Sequence, residues 1–339
     1  MAAAAEDFCS SQPVPPADEE GQIVVETADG KGVPIRRSAE APAIYDHQHS
    51  KPGPKPDRKK MATVGSVYTV DPFVRTPEEI VTALFRDPKE EASAEEKRQR
   101  PRPCHKRVVA RLNEVTDEGE EILGVASVFG WMDQQARERN PQGEKPLVCI
   151  MDGQESLWEA KEAFQSDLDT VEILDLLHVT PRLWDAAHLF HAPRSAEAEQ
   201  FVRQRVLLVL QGKVSSVVCG LRRMATLRAL SDSRRSKLET ICGYLKHNAG
   251  RMRYDIYLAR GYPIASGVIE GACRHVVKDR LERTGMSWTI AGAQAILHIR
   301  AIYVSDQWPE FMQVYISQET QRLYPYRQLV EGVEWSIAA

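Results

Sequence analysis

The chain has 339 residues, 42% of them apolar, and a net charge of −4. At ~150 residues per domain this is material for about two domains, or one elaborated domain with a sizeable core. The small net charge implies no global polyelectrolyte partner. No apolar run reaches the ~18 residues of a membrane span, and the start lacks the basic and hydrophobic regions of a signal peptide, so a cytoplasmic protein is expected.

In chain order, the Ala-, Pro- and acid-rich residues 1–21 read as disordered. Ile23-Val-Val-Glu-Thr-Ala-Asp-Gly30 is a β-branched run closed by a turn dipeptide, with Val33-Pro-Ile-Arg-Arg37 just behind it. The spacing predicts a hairpin with Asp29 at the end of its first strand. Residues 41–60 form a basic, Pro-rich loop, either a nucleic-acid contact or a solvated linker, and residues 61–70 alternate as a strand. Thr76-Pro77 has the chemistry of an N-cap and first helical residue. After a charged stretch at 87–103, residues 105–139 read as partly helical, with a strand-like piece at 125–129.

Lys145-Pro-Leu-Val-Cys-Ile-Met-Asp-Gly153 is a compact apolar run and predicts a buried strand ending at Asp152, with a helix over 155–164. Val171-Glu-Ile-Leu-Asp175 predicts the next strand, leading through His178 to a second cap pair, Thr180-Pro181. Two to four helices are expected over 195–258. Between 201 and 260, thirteen Lys and Arg face three Asp and Glu, a local surplus that attracts phosphate. Two more helices are expected over 289–304 and 308–322. The six cysteines are scattered without a Cys-x-x-Cys, which suits reduced thiols better than a zinc or disulfide scaffold.

The most informative stretch is Gly261-Tyr-Pro-Ile-Ala-Ser-Gly-Val-Ile-Glu-Gly-Ala-Cys-Arg274, running on to Trp288. Ser266 is placed to cap a helix, and Ile269, Cys273, Val276, Val277 and Leu281 form one apolar stripe ending before Gly285. Glu270 lies in the first turn, and Arg274 and Lys278 follow at four and eight residues, on its face. Glu near a helix start is ordinary by itself. Together, however, Asp29 and Asp152 at strand ends and Glu270 at a helix start can converge on one sheet edge, where three carboxylates hold Mg2+.

These motifs, with Val25-Glu-Thr-Ala-Asp-Gly-Lys-Gly-Val-Pro-Ile-Arg36, Ile150-Met-Asp-Gly-Gln154 and Ile173-Leu-Asp-Leu-Leu-His178, resemble those of bacterial insertion-sequence transposases of the DDE type. The Kra-type family is most similar, and Mutator-like transposases share the plan. The resemblance covers roughly residues 22–318. It implies an α/β RNase H-like mixed sheet with flanking helices, split into a first core part at 22–184 and a second at 261–320. Between them lies a basic all-helical insertion at 185–260, and a tail follows at 321–339. It further implies a metal-binding catalytic triad of Asp29, Asp152 and Glu270 carrying Mg2+ or Mn2+, two ions in all, and an Asp-x-x-His element at Asp175 and His178. The expected partners are the element's terminal repeats, target DNA and further copies of the chain. His178, Arg222, Arg223, Arg274 and Lys278 are the expected DNA contacts, with Asp175 supporting. The family generally carries a DNA-binding region ahead of the first strand, where this chain has residues 1–21, which reads either as a truncated copy or as a start placed too late. Two rival readings of the same residues are an RNase H-like nuclease without strand transfer and a DNA-binding remnant without catalysis.

Overall fold

A computed structural model describes residues 1–36, 59–86, 100–115, 119–283 and 285–326. The basic loop predicted at 41–60 lies outside them except for Lys59 and Lys60, as do most of the charged stretch at 87–103 and the tail beyond Tyr326.

Five strands make one mixed sheet: β1 (Ile23–Pro34), β2 (Lys59–Val70), β3 (Cys104–Leu112), β4 (Leu147–Met151) and β5 (Thr170–Leu174). Their spatial order is β3-β2-β1-β4-β5. The first three are antiparallel to their neighbours, while β1, β4 and β5 run parallel. The predicted hairpin at 23–37 is not formed. β1 is one 12-residue strand that pairs with β2 along its whole length, from Ile23–Val70 to Pro34–Lys59. A two-residue turn at Asp29-Gly30 would need left-handed backbone there, and Gly30 is not among the residues with positive φ. Asp29 therefore sits inside β1 rather than at its end.

Between 104 and 139 the partly helical reading holds for Gly124–Arg139, and two pieces differ from it. Cys104–Leu112 is the edge strand β3, its alternation hidden in sequence by His105, Lys106 and Arg107. The piece at 125–129 is helical, part of α3 (Gly124–Arg139), whose Val128, Phe129 and Met132 are buried on the sheet. Residues 1–21 are not disordered throughout either. The alanine run forms helix α1 (Ala2–Ser10), and Phe8 meets Phe311 edge-on at 5.4 Å between ring centroids. Alanine's high helix propensity and one aromatic anchor outweigh the acidic composition.

The remaining expected elements form. Helix α2 (Pro77–Leu84) starts with Thr76 and Glu79 exchanging capping-box hydrogen bonds. Helix α4 (Glu155–Gln165) follows β4, and α5 (Leu176–Phe190) follows β5. The start of α5 differs from expectation: Asp175 caps it, and Pro181 lies inside the helix while the Thr180 hydroxyl donates to the Leu176 carbonyl. Four helices make up the insertion, α6 (Ala196–Leu210), α7 (Val214–Leu227), α8 (Asp232–His247) and α9 (Tyr254–Ala259). The helix bearing Glu270, α10 (Gly267–Ala272), runs on through a π-helical segment (Cys273–Lys278) into a last turn (Asp279–Leu281). Helices α11 (Ile290–Val304) and α12 (Trp308–Leu323) complete the described chain.

Strand alternation assigns the two faces of the sheet. Ile23 and Val25 of β1, Val148 and Ile150 of β4 and Ile173 of β5 share one core with the insertion helices. Val33, Val64 and Val108 continue that face under α10 and α11. Val24, Ala28, Cys149 and Met151 point the other way, to α3 and α4. The insertion is thus no appended bundle; it shares a continuous core with the sheet.

Both sheet edges are occupied by side chains, a common protection against strand addition. At β5, Tyr254 and Tyr257 hydroxyls donate to the Leu174 and Glu172 carbonyls at 2.6 and 3.0 Å. At β3, Gln294 accepts from Leu112 N and donates to Ala110 O, and Ser305 Oγ accepts from Val108 N. Among the described residues no helix is long and apolar enough to cross a membrane.

Candidate active site

Register brings the acids together. Ala28 of β1 pairs with Met151 of β4, and Met151 with Leu174 of β5. The next residue on each strand is Asp29, Asp152 and Asp175. The three acids form one row across adjacent parallel strands, which lie about 4.8 Å apart. Continuing the alternation, all three belong to the face carrying the insertion and α10. The row falls between the two apolar clusters of that face, beside a polar stretch in which the Thr27 and Ser66 hydroxyls, paired in register, are buried without partners among the described residues.

The acids are not equivalent. Asp29 and Asp152 are half-buried, whereas Asp175 is fully buried. The Asp152 carboxyl is held above the usual carboxylate range, chiefly by burial, with the Asp29 and Asp175 charges adding to the shift. A hydrogen bond from Gln154 N at 2.9 Å and the nearby His178 oppose it. Three acid side chains in one row across neighbouring strands repel, and that repulsion is what a cation relieves.

Glu270 reaches this region on α10. Ile269, Ala272 and Cys273 are buried against Val33 and Val64, which leaves Glu270 exposed. Cys273 faces the acid row: its thiol is pushed up by burial, then by the neighbouring Asp29 carboxylate and further by Glu270. Lys31, two residues beyond Asp29 and on the same face, opposes that shift. Among the described residues no three Asp, Glu, His or Cys side chains are gathered tightly enough to hold one ion. The assembled part of the predicted triad is the pair Asp29 and Asp152, with Glu270 one helical turn from the Cys273 contact.

The π-helical turns begin directly after Glu270's own turn, a feature that recurs at functional sites. They also break the 3.6-residue spacing that put Arg274 and Lys278 on Glu270's face. Both cations are exposed, and neither has an ion pair among the described residues; Asp279 pairs instead with His275 at 2.9 Å. The end of the long motif folds back on β1, where Trp288 N donates to Pro34 O and Arg36 N to Trp288 O.

The basic insertion is less free than its composition suggests. Arg222 is locked to Glu239 at 2.7 Å, Arg203 to Glu199 and Arg251 to Glu172. Arg205 lies over the Phe201 ring, and Arg234 donates to Leu189 O. Of the predicted pair, Arg223 alone has no ion pair among the described residues.

Tyr244 has no signal in the sequence, because its place depends on how α8 docks. Its ring lies against Gly153 next to Asp152, and the Arg182 guanidinium sits 5.2 Å from the ring centroid. Burial raises the Tyr244 hydroxyl, and Asp152 and Asp175 add to the shift. A Cβ on Gly153 would stand 2.3 Å from the Tyr244 ring, so this glycine serves a close approach rather than a turn. Gly153→Ala is expected to lower stability by about 1–3 kcal/mol, the usual cost of overpacking. Urea unfolding should show a smaller loss in a Tyr244→Leu background, and equal losses in both backgrounds would exclude the contact as the cause.

Comparison with known proteins gives no relative: no protein-family model, no curated protein and no solved structure matches the chain.

Proposed function

We propose that the chain is a DDE-type DNA transposase that cleaves phosphodiester bonds at the ends of a mobile element and transfers the freed strand to target DNA. The observation that carries this reading is the register row that sets Asp29 and Asp152 side by side at adjacent parallel strands, with the Glu270 helix packed on β1 and β2 through Ile269, Ala272 and Cys273. The strand order β3-β2-β1-β4-β5, with β2 alone antiparallel among the central three, agrees with an RNase H-like core. The helical chain between β5 and α10 agrees with the insertion such transposases place before the catalytic Glu.

The donor set fits a hard divalent cation. Asp29 and Asp152 are half-exposed carboxylates whose mutual repulsion favours a counter-ion, and Glu270 offers a third oxygen donor on the facing helix. Mg2+ or Mn2+ bound there would activate the attacking water or 3′-hydroxyl and stabilise the leaving oxygen. The protein's own part is to hold these carboxylates at fixed strand positions and to surround them with cations. Lys31 of β1 and Arg182 of α5, with Arg274 and Lys278 on the Glu helix, orient the phosphodiester by charge, and His178 at the start of α5 offers a further contact. Arg223 adds a contact remote from the chemistry.

The decisive assay incubates the purified chain with DNA carrying the element's ends and Mg2+ or Mn2+. Metal-dependent nicking followed by joining to a second duplex is the expected result. Nicking without joining would leave a nuclease, and binding without nicking would leave a non-catalytic protein.

A further inference from the structure

Asp175 stands in the same register row as the two half-exposed acids, yet its carboxylate is spent inside the protein. Oδ1 accepts from Leu177 N at 2.8 Å. Oδ2 accepts from Ser266 N at 3.1 Å and from the Ser266 hydroxyl, the latter a short contact. The residue is completely buried. Its backbone is engaged as well: Asp175 N donates to Met151 O at 2.8 Å, and Leu176 N to Ile264 O at 3.0 Å. One residue thus joins the end of β4, which carries Asp152, to the loop that opens the Glu helix.

Ser266 passes that restraint on. It occupies the N-cap position of α10, but its hydroxyl makes no capping bond to its own helix and donates to Asp175 instead. Its carbonyl accepts from Glu270 N at 3.1 Å. An unbroken path of hydrogen bonds therefore runs from the Asp175 carboxylate through Ser266 to the backbone of Glu270. Among the described residues little else restrains the outer side of this helix start, since a Cβ at Gly267 or Gly271 would meet none of them within 4 Å. Bonds to a charged carboxylate are stronger than a neutral cap, so the hydroxyl gains by the exchange.

We propose that Asp175 is a positioning residue that fixes the start of the Glu270 helix through Ser266 and thereby tunes metal affinity at the Asp29–Asp152 row. This rests on reading Asp29, Asp152 and Glu270 as the metal-binding acids. Asp175 itself is not a ligand in this proposal, although its place in the row suggests one.

Two measurements on the full chain test it. Hydrogen exchange reads the amides of residues 266–270; protection there is expected to fall in Asp175→Asn and in Ser266→Ala and to be kept in Ser266→Thr. A Mn2+ titration followed by thermal shift reads affinity without needing activity. Half-saturation is expected to rise roughly tenfold in Asp175→Asn and about threefold in Ser266→Ala, as for loss of charged and neutral hydrogen bonds. The double variant should be no weaker than Asp175→Asn alone. Unchanged exchange at 266–270 in both variants would overturn the proposal. So would loss of the Mn2+ effect in Asp175→Asn with none in Ser266→Ala, which would make Asp175 a ligand. If Asp175→Asn fails to fold, the two Ser266 variants carry both measurements. Absence of any Mn2+ effect in the parent would refute the metal reading, and exchange would then decide the Asp175–Ser266 tie by itself.

Discussion

Under the proposed function, Asp29→Asn, Asp152→Asn and Glu270→Gln are each expected to lower Mg2+-dependent cleavage by about a hundred- to a thousandfold, the scale of removing one preorganised group from a catalytic site. DNA affinity should stay within about threefold, because phosphate contacts from surrounding cations dominate binding. Metal-linked stability separates the three acids. Metal that binds only the folded chain stabilises it by about 2.7 kcal/mol at a hundredfold excess over its dissociation constant. Asp152→Asn removes one of the mutually repelling charges at the row, so the metal-free protein should melt slightly higher while the Mn2+ shift shrinks. Thermal melts with EDTA and with millimolar Mn2+ measure both effects. An Asp152→Asn protein with the parental Mn2+ shift would remove Asp152 from the site. Near-parental cleavage by any one variant would remove that acid from the chemistry.

The parts of this site that were legible in the sequence are those governed by local chemistry. β4 is a short, fully apolar run and β5 a short β-branched one broken only by Glu172, and their ends at Asp152 and Asp175 follow from composition. The Glu helix announces itself through a five-residue apolar stripe. What local pattern misplaced was decided by distant partners. Asp29-Gly30 has turn chemistry, but β2 supplies hydrogen bonds along the whole of β1 and the chain runs straight through. Ser266 has capping chemistry, but a buried carboxylate 91 residues away takes its hydroxyl. The edge strand β3 hides behind its charged residues, and α1 behind an acidic composition, because each is stabilised by a helix far along the chain. Tyr244 and the locked state of Arg222 depend wholly on docking. The three-acid row is the intermediate case: each acid is visible, but the one-residue register that aligns them is a property of the paired sheet.

On the opposite face of β1, Glu26 is expected to make folding stability depend on pH. It is completely buried, and burial pushes its carboxyl up to about 8, with Asp133 adding and the Gln165 hydrogen bond and Lys161 opposing. The Gln165 amide donates to Glu26 Oε1 at 3.0 Å, while Glu26 Oε2 and Gln165 Oε1 are both buried without partners. Leaving a charged oxygen buried without a donor is costly, so the neutral acid is the form this pocket accommodates. The sign follows from the raised value. Between the ordinary carboxyl value of 4.5 and about 8 the folded chain holds a proton that the unfolded chain has released. The stabilising contribution is therefore complete below the ordinary value, declines as pH rises through this window, and is gone above about 8. At about 1.4 kcal/mol per unit of separation, the decline is on the order of a few kcal/mol. Glu26→Gln keeps the shape and cannot ionise, so the parent should be matched or exceeded by the variant at pH 9 yet not at pH 5. Urea unfolding of both proteins from pH 5 to 9 measures the difference. A stability difference that stays flat across that range would mean that Glu26 is already charged, or that its pocket opens to water.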